Sequence, residues 1–293
     1  MTEASWTGRP RRSVLYMPGS NARALDKAKS IPADALILDL EDAVAPDAKE
    51  TARKQVVAAV KGGGYGKREL IVRINGFDVE WGHFDMPSVS TCGADAILLP
   101  KVESADQIFQ AENLMNKYGA PASMSIMAMI ETPRGVLYVN EIAKSTARLS
   151  CLVMGTSDLT KDLHARHTRL REPMLTSLSL CLLAARAYDL AIVDGVHLDL
   201  NDDAGFEASC VQGLELGFDG KTLIHPKQVD AANRVFAPQP EEIAWSKKII
   251  DAFEAAEREG KGVVLVDGKL IENLHVANAR RLVATAEAIA TLG

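Results

Sequence analysis

Glu131 closes the apolar run Ser-Ile-Met-Ala-Met-Ile (125–130) and is followed at once by Thr-Pro-Arg-Gly. A carboxylate placed there is expensive to bury alone, so it wants a cation. Asp158, in Gly-Thr-Ser-Asp-Leu just after the next apolar run, is its natural companion. Two carboxylates with no convergent Cys or His suit a hard, oxygen-preferring ion, Mg²⁺ first and Mn²⁺ also admissible. Arg73 ends another run. Its planar, permanently charged fork can face such an ion, share a substrate carbonyl oxygen with it and stabilise an enolate. The same guanidinium could instead serve in a structural ion pair with one of the carboxylates. Glu41 and Asp42 could hold metal-bound waters from a second layer, or simply bring negative charge to the start of a helix ahead of Pro46.

Two turns next to these acids have exposed-backbone potential. Gly155, Thr156 and Ser157 precede a helix-like stretch, and free N–H groups there could cradle a carboxylate. The same logic applies to Pro133, Arg134 and Gly135. Near the amino end, Arg23 and Lys27 are four residues apart and share a helical face. With Arg11 and Arg12 they make a basic cluster in an acidic protein, suited to the phosphates of a nucleotide-like handle or, on the plainer reading, a solvated helix face.

The elements that must position these groups follow from eight apolar runs, at 13–17, 35–40, 70–74, 96–100, 125–130, 151–155, 191–196 and 222–226. Most are continuously apolar, as parallel strands covered on both faces must be. Helical signals lie between them. Ser104 with Gln107 forms a capping-box pattern ahead of apolar residues at helical spacing, and Pro46 suits a first helical turn. Eight strand–helix units in a row predict a TIM (β/α)₈ barrel, with chemistry at the carboxyl ends of its strands. An open doubly wound sheet is the alternative, but no G-x-G-x-x-G follows any strand. Besides the residues named above, Asp39 and Lys101 also stand at strand ends. The barrel is expected over 1–237. Residues 238–293, a helix, an extended Asp-Gly hairpin and a final helix, are expected to form a C-terminal helical lid or oligomerisation arm.

The net charge of −6 argues against a general nucleic-acid or membrane-surface binder. The four cysteines are far apart with no zinc-like spacing, as in a reduced intracellular protein. With no hydrophobic signal region and no run approaching the ~20 apolar residues of a membrane span, a cytoplasmic location is expected.

Taken together, "RRSVLYMPGSNARALDKA", "ADALILDLEDAVAPDAKETAR", "LIVRING", "AILLPKVES", "MAMIETPRGV", "GTSDLTKDL", "LIHPKQV" and "VDGKLIE" resemble the citrate lyase β-subunit family of the HpcH/HpaI aldolase superfamily, a group that includes malyl-CoA and citramalyl-CoA lyases. The resemblance implies a TIM barrel, Mg²⁺ and reversible aldol- or Claisen-type cleavage of a CoA thioester. It matches Glu131 and Asp158 to metal ligands and Arg73 to an enolate-stabilising arginine. Tyr16, Arg23 and Lys27 fall in the stretch that receives the CoA handle. Asp267 matches an acid on a lid that closes over a neighbouring subunit of a homotrimer or homohexamer. On pattern alone, Asp267 is merely a hairpin-turn residue.

The reaction implied is cleavage of a 3-hydroxyacyl-CoA such as malyl-CoA, β-methylmalyl-CoA or citramalyl-CoA into an acyl-CoA and an α-keto acid. A malyl-CoA thioesterase, a malate synthase-like activity or a citrate lyase β-subunit would use the same site. A non-enzymatic scaffold is disfavoured because every matched polar residue is present. Which keto acid is used stays open, since one methylene changes selectivity by only ~1–3 kcal/mol.

Overall fold

The computed structural model describes residues 9–292. Residues 1–8, on which the expected lack of a signal region partly rests, and Gly293 lie outside the described residues.

The chain divides into two compact units, the first over Arg11–Phe236, the second over the residues from Ala237 onward together with Arg9 and Pro10. In the first, β1 (Ser13–Pro18), α1 (Ala22–Lys27), β2 (Ala35–Asp39), α2 (Lys49–Gly62), β3 (Glu69–Arg73), α3 (Glu80–Val89), β4 (Ala96–Leu99), α4 (Ala105–Lys117) and β5 (Ser125–Ile130) lead to the short helices α5 (Pro133–Leu137) and α6 (Val139–Ala143). Then come β6 (Leu149–Met154), α7 (Thr156–Asp162), α8 (Leu175–Ala187), β7 (Ala191–Asp194), α9 (Asp203–Leu216), β8 (Gly220–Leu223) and α10 (Val229–Val235). The eight strands pair in chain order, all parallel, and β8 returns to β1 to close the barrel.

Strand side chains alternate between two buried sides. Val14, Ile37, Ile71, Leu98, Met127, Met129, Cys151 and Val153 fill the barrel interior, while Leu15, Leu36, Leu38, Val72, Ile97 and Leu152 pack under the helices. That is why the runs are continuously apolar. The predicted capping box at Ser104 is formed, and α4 buries Ile108, Ala111 and Met115. All four cysteines are buried and free.

At the amino ends of the strands, Arg11 grips Glu69 through two bonds of 2.6 and 2.7 Å, and Arg12 grips Asp34 at 2.7 and 2.8 Å. This corrects the expected basic cluster. Arg11 and Arg12 precede β1, whereas Arg23 and Lys27 follow it. A six-residue strand rises about 20 Å, so the two pairs sit at opposite ends of the barrel. Arg23 and Lys27 are exposed on α1.

A second buried knot lies between barrel and helices. Asp194 accepts from Lys221 Nζ at 2.8 Å and from Arg171 Nη1 at 2.7 Å. Burial alone would push the Asp194 carboxyl up, but the two cations outweigh it and hold the group below its ordinary range.

The second unit packs α11 (Pro240–Arg258) and α12 (Asn273–Leu292) with a hairpin of β9 (Val264–Val266) and β10 (Lys269–Ile271) around Ile249, Phe253, Val266, Ile271 and Val276. Asp267 and Gly268 form its turn, with φ of 48° and 76°, as the Asp-Gly pair predicts. Among the described residues, no helix is long and apolar enough to cross a membrane.

Candidate active site

The interior parity of the barrel decides which residues reach its mouth. Val14, Ile37, Ile71, Met127 and Val153 point inward, so Tyr16, Asp39, Arg73, Glu131 and Gly155, two or four positions on, continue those rows. Asp39 and Arg73 are also direct cross-strand partners in the β2–β3 register. Their side chains meet as a fork on a fork: Arg73 Nε to Asp39 Oδ1 is 2.7 Å and Nη2 to Oδ2 is 2.6 Å. Arg73 Nη1 stands 2.8 Å from Glu41 Oε2, and Asp42 is a looser neighbour at 3.5 Å. The Tyr16 ring lies under the guanidinium, with 4.9 Å between its centroid and Arg73 Cζ. Tyr16 therefore stands with the barrel-mouth residues, whereas Arg23 and Lys27 are exposed on α1. Burial raises its phenol above the ordinary range, so it stays neutral. The structural ion pair foreseen as the alternative for Arg73 exists, and Asp39 is its partner. Arg73 nevertheless still lines the cavity described below.

The loop after β2 is fixed from below. Asp39 accepts from the N–H groups of Glu41 and Ala43 at 2.9 and 3.1 Å. The buried Lys49 ammonium is saturated by the carbonyls of Leu40 and Glu41 and by Asn75 Oδ1, at 2.7 to 2.8 Å. Glu41 and Asp42 are thus held on a rigid turn rather than on a free helix entry.

Glu131 is only 2 % exposed. One of its oxygens, Oε1, accepts from the Lys101 N–H at 2.9 Å. Burial, reinforced by the nearby charges of Glu41 and Asp158, pushes its carboxyl up to about 8, against the pull of the Lys101 amide and Arg73. Gly155 makes room for it: a Cβ there would lie 2.3 Å from Glu131 Cβ and 2.6 Å from Oε2. Asp158 sits half-buried in the first turn of α7.

Tyr16, Asp39, Arg73, Glu131 and Asp158, with Gly155, Thr156 and Ser157, line one cavity of about 400 Å³ walled by Met129, Met154, Val196 and Leu198. The Ser157 hydroxyl there is buried with no partner among the described residues.

The expected cradle at Pro133–Gly135 is corrected. Pro133 has no N–H, and the Gly135 N–H is already given to the Thr132 hydroxyl at 3.0 Å, which caps α5. Gly135 is needed for close packing instead, since a Cβ would lie 2.4 Å from the Val102 carbonyl oxygen. Asp267 belongs to the second unit, where both its oxygens bind Lys248 Nζ at 2.6 and 2.7 Å.

The donor set fits a hard cation. Among the described residues no three His, Cys, Asp or Glu side chains converge as a closed cage. Mg²⁺ needs none, since it binds through one or two carboxylates and keeps waters. A buried carboxylate with a raised pKa, a half-buried second one and an orphaned hydroxyl supply that chemistry.

Two groups at the mouth had strand-end positions in the sequence but no assigned role. Asp39 could have been found from parity, since it shares the inward row of Ala35 and Ile37. Lys101 had no such signal, because its role depends on a left-handed backbone with φ of 49°.

The family described as HpcH/HpaI aldolase/citrate lyase matches residues 12–226. A protein named (3S)-malyl-CoA thioesterase from Cereibacter sphaeroides is 50 % identical over 281 residues, covering 96 % of each chain. The citrate lyase subunit beta of Escherichia coli is 36 % identical over 284 residues, covering 95 % of this chain and 94 % of its own. Among solved structures, CitE from Mycobacterium tuberculosis in complex with magnesium, acetoacetate and coenzyme A superposes with a TM-score of 0.74 at 26 % identity, over 96 % of this chain and 99 % of its own.

Proposed function

The chain belongs to the HpcH/HpaI aldolase/citrate lyase family, and from that premise we propose that the barrel mouth is the active site of a Mg²⁺-dependent enzyme acting on the CoA thioester of a short hydroxy acid. The observation that carries this is the meeting of Arg73, Glu131 and Asp158 on one cavity of about 400 Å³. The magnesium and coenzyme A bound by the Mycobacterium tuberculosis relative support it, as does the malyl-CoA named for the Cereibacter relative.

In the favoured reading the enzyme is a carbon–carbon lyase. Glu131 and Asp158 hold the cation, which when bound would polarise the hydroxyl and carboxylate oxygens of a malyl-CoA-like substrate. The hydroxyl gives its proton to solvent water, and the adjacent C–C bond breaks. Its electron pair passes to the thioester carbonyl, and the hydroxyl carbon becomes the carbonyl of an α-keto acid such as glyoxylate. Arg73, clamped by Asp39, receives the negative charge that gathers on the thioester oxygen, as a preorganised donor should. Asp267 returns a proton to the acyl-CoA carbon, and this acid is proposed to come from a neighbouring subunit of a trimer or hexamer. The first-turn N–H groups of Thr156 and Ser157 take the distal carboxylate, that of Gly155 being already given to the Ile130 carbonyl at 3.0 Å, while Arg23 and Lys27 take phosphates of the CoA handle. Mn²⁺ could replace Mg²⁺ at the same oxygens.

A second reading, hydrolysis of the thioester, is favoured by the name of the 50 % identical relative. The two separate by mass spectrometry of products from malyl-, β-methylmalyl-, citramalyl- and citryl-CoA with Mg²⁺. The lyase yields an α-keto acid and a shorter acyl-CoA. Free CoA with the intact hydroxy diacid, and no keto acid, overturns it in favour of the hydrolase. Turnover of a CoA ester by the purified single chain would speak against a citrate lyase β-subunit confined to a carrier-protein thioester.

A further inference from the structure

Lys101 stands where β4 runs out, with a left-handed φ of 49° that L-residues avoid unless their surroundings impose it. Turned this way, its N–H donates to Glu131 Oε1 at 2.9 Å. Its ammonium reaches Glu41 Oε1 at 2.8 Å, and Glu41 Oε2 in turn stands 2.8 Å from Arg73 Nη1. One residue therefore grips the carboxylate on the cation side of the cavity and, through Glu41, the guanidinium on the other side. Packing does not account for it, because the Lys101 side chain is 49 % exposed. Its pull on Glu41 is directional, through a single charged bond to a carboxylate that is itself buried.

We propose that Lys101 is a positioning residue that sets Glu131 and Arg73 at a fixed separation across the cavity, its backbone N–H holding the first and its ammonium, through Glu41, the second. The inference rests on the function proposed above for those two groups. The two grips are separable by mutation. Lys101→Met and Lys101→Gly both keep the N–H and lose the ammonium, and the glycine also removes the backbone strain. Lys101→Arg keeps a cation of similar reach.

The test uses the full chain with two readouts, Mg²⁺ affinity by calorimetry without substrate, and kcat and KM for malyl-CoA with Mg²⁺. For Lys101→Met and Lys101→Gly, kcat should fall about tenfold or more, the scale of a misplaced transition-state donor. Mg²⁺ affinity and KM should stay within about threefold, because the loss is confined to the transition state. Lys101→Arg should recover most of the kcat. An unchanged kcat in Lys101→Met, a parallel collapse of Mg²⁺ affinity, or no recovery in Lys101→Arg would each overturn the positioning role. A wild-type chain that neither binds Mg²⁺ nor converts the thioester overturns the site reading and this inference together, whereas a working wild type beside an indifferent Lys101→Met removes the inference alone.

Discussion

Replacing Gly155 by alanine adds one methyl group at the point where β6 passes Glu131. The φ of Gly155 is −96°, which any residue adopts, so the effect is steric and not conformational. The new Cβ would lie 2.3 Å from Glu131 Cβ and 2.6 Å from its Oε2, about an ångström inside ordinary carbon contact. The backbone cannot yield easily. The Gly155 N–H is bound to the Ile130 carbonyl at 3.0 Å and its carbonyl to the Leu159 N–H at 3.1 Å. Glu131 must then swing away from the Lys101 N–H. Overpacking of this kind costs about 1–3 kcal/mol, a loss of a few degrees in Tm for a chain of this size. A displacement of about 1 Å at the site costs on the order of a hundredfold in turnover. Calorimetry should show Mg²⁺ affinity down at least about tenfold. Gly62→Ala, where nothing lies within 4 Å of the added Cβ, should leave binding alone. Wild-type Mg²⁺ affinity in Gly155→Ala would refute the claim that this glycine exists to seat Glu131.

Because Glu131 titrates near 8 in the metal-free protein, Mg²⁺ must displace its proton below that pH. Affinity should rise about tenfold per pH unit between pH 6 and 8 and flatten above, and Glu131→Gln should abolish the slope; a flat profile in the wild type refutes the assignment. The same raised pKa means that the folded metal-free protein binds this proton more tightly than the unfolded chain. Its contribution to stability is therefore full below the unfolded value near 4.5 and is lost as pH rises through about 8, a trend that urea melts without Mg²⁺ should display. Asp194→Ala leaves Lys221 and Arg171 without their shared anion and should destabilise by about 3–5 kcal/mol; melting within a degree of wild type would show the knot to be dispensable. Asp39→Ala should reduce kcat far more than Mg²⁺ affinity, since it frees Arg73 and leaves Glu131 in place, and an equal loss of both would place Asp39 on the cation side instead.

The barrel was legible because each strand had to be apolar on both faces, and helices with caps such as Ser104 separated the runs. Glu131 and Asp158 were legible as charges at the ends of consecutive strands. Parity, unused, would have promoted Asp39, because a residue two after Ile37 must face inward. Other features depend on distances that no one-dimensional pattern holds. Arg11 and Arg12 look like neighbours of Arg23 until the length of β1 separates them. Gly135 looks like an anion cradle until the Thr132 hydroxyl takes its amide. Lys101 is invisible because its backbone grip requires a left-handed turn that a lysine gives no sign of adopting.

The two ends of the barrel treat charge in opposite ways. At the amino end Arg11 and Arg12 each close on one acid. At the mouth five acids, Asp39, Glu41, Asp42, Glu131 and Asp158, lie together, and among the described residues the cations paired with them are Arg73, on Asp39, Glu41 and Asp42, and Lys101, on Glu41. The mouth is therefore a store of repulsion that the rest of the fold holds together, and a bound cation would act as its keystone. At a hundred times its dissociation constant, such an ion adds about 2.7 kcal/mol to folding stability. Inside a cell, where a change of one or two kcal/mol alters how fast a protein is cleared, ion supply would then govern how long each copy survives as well as whether it is active.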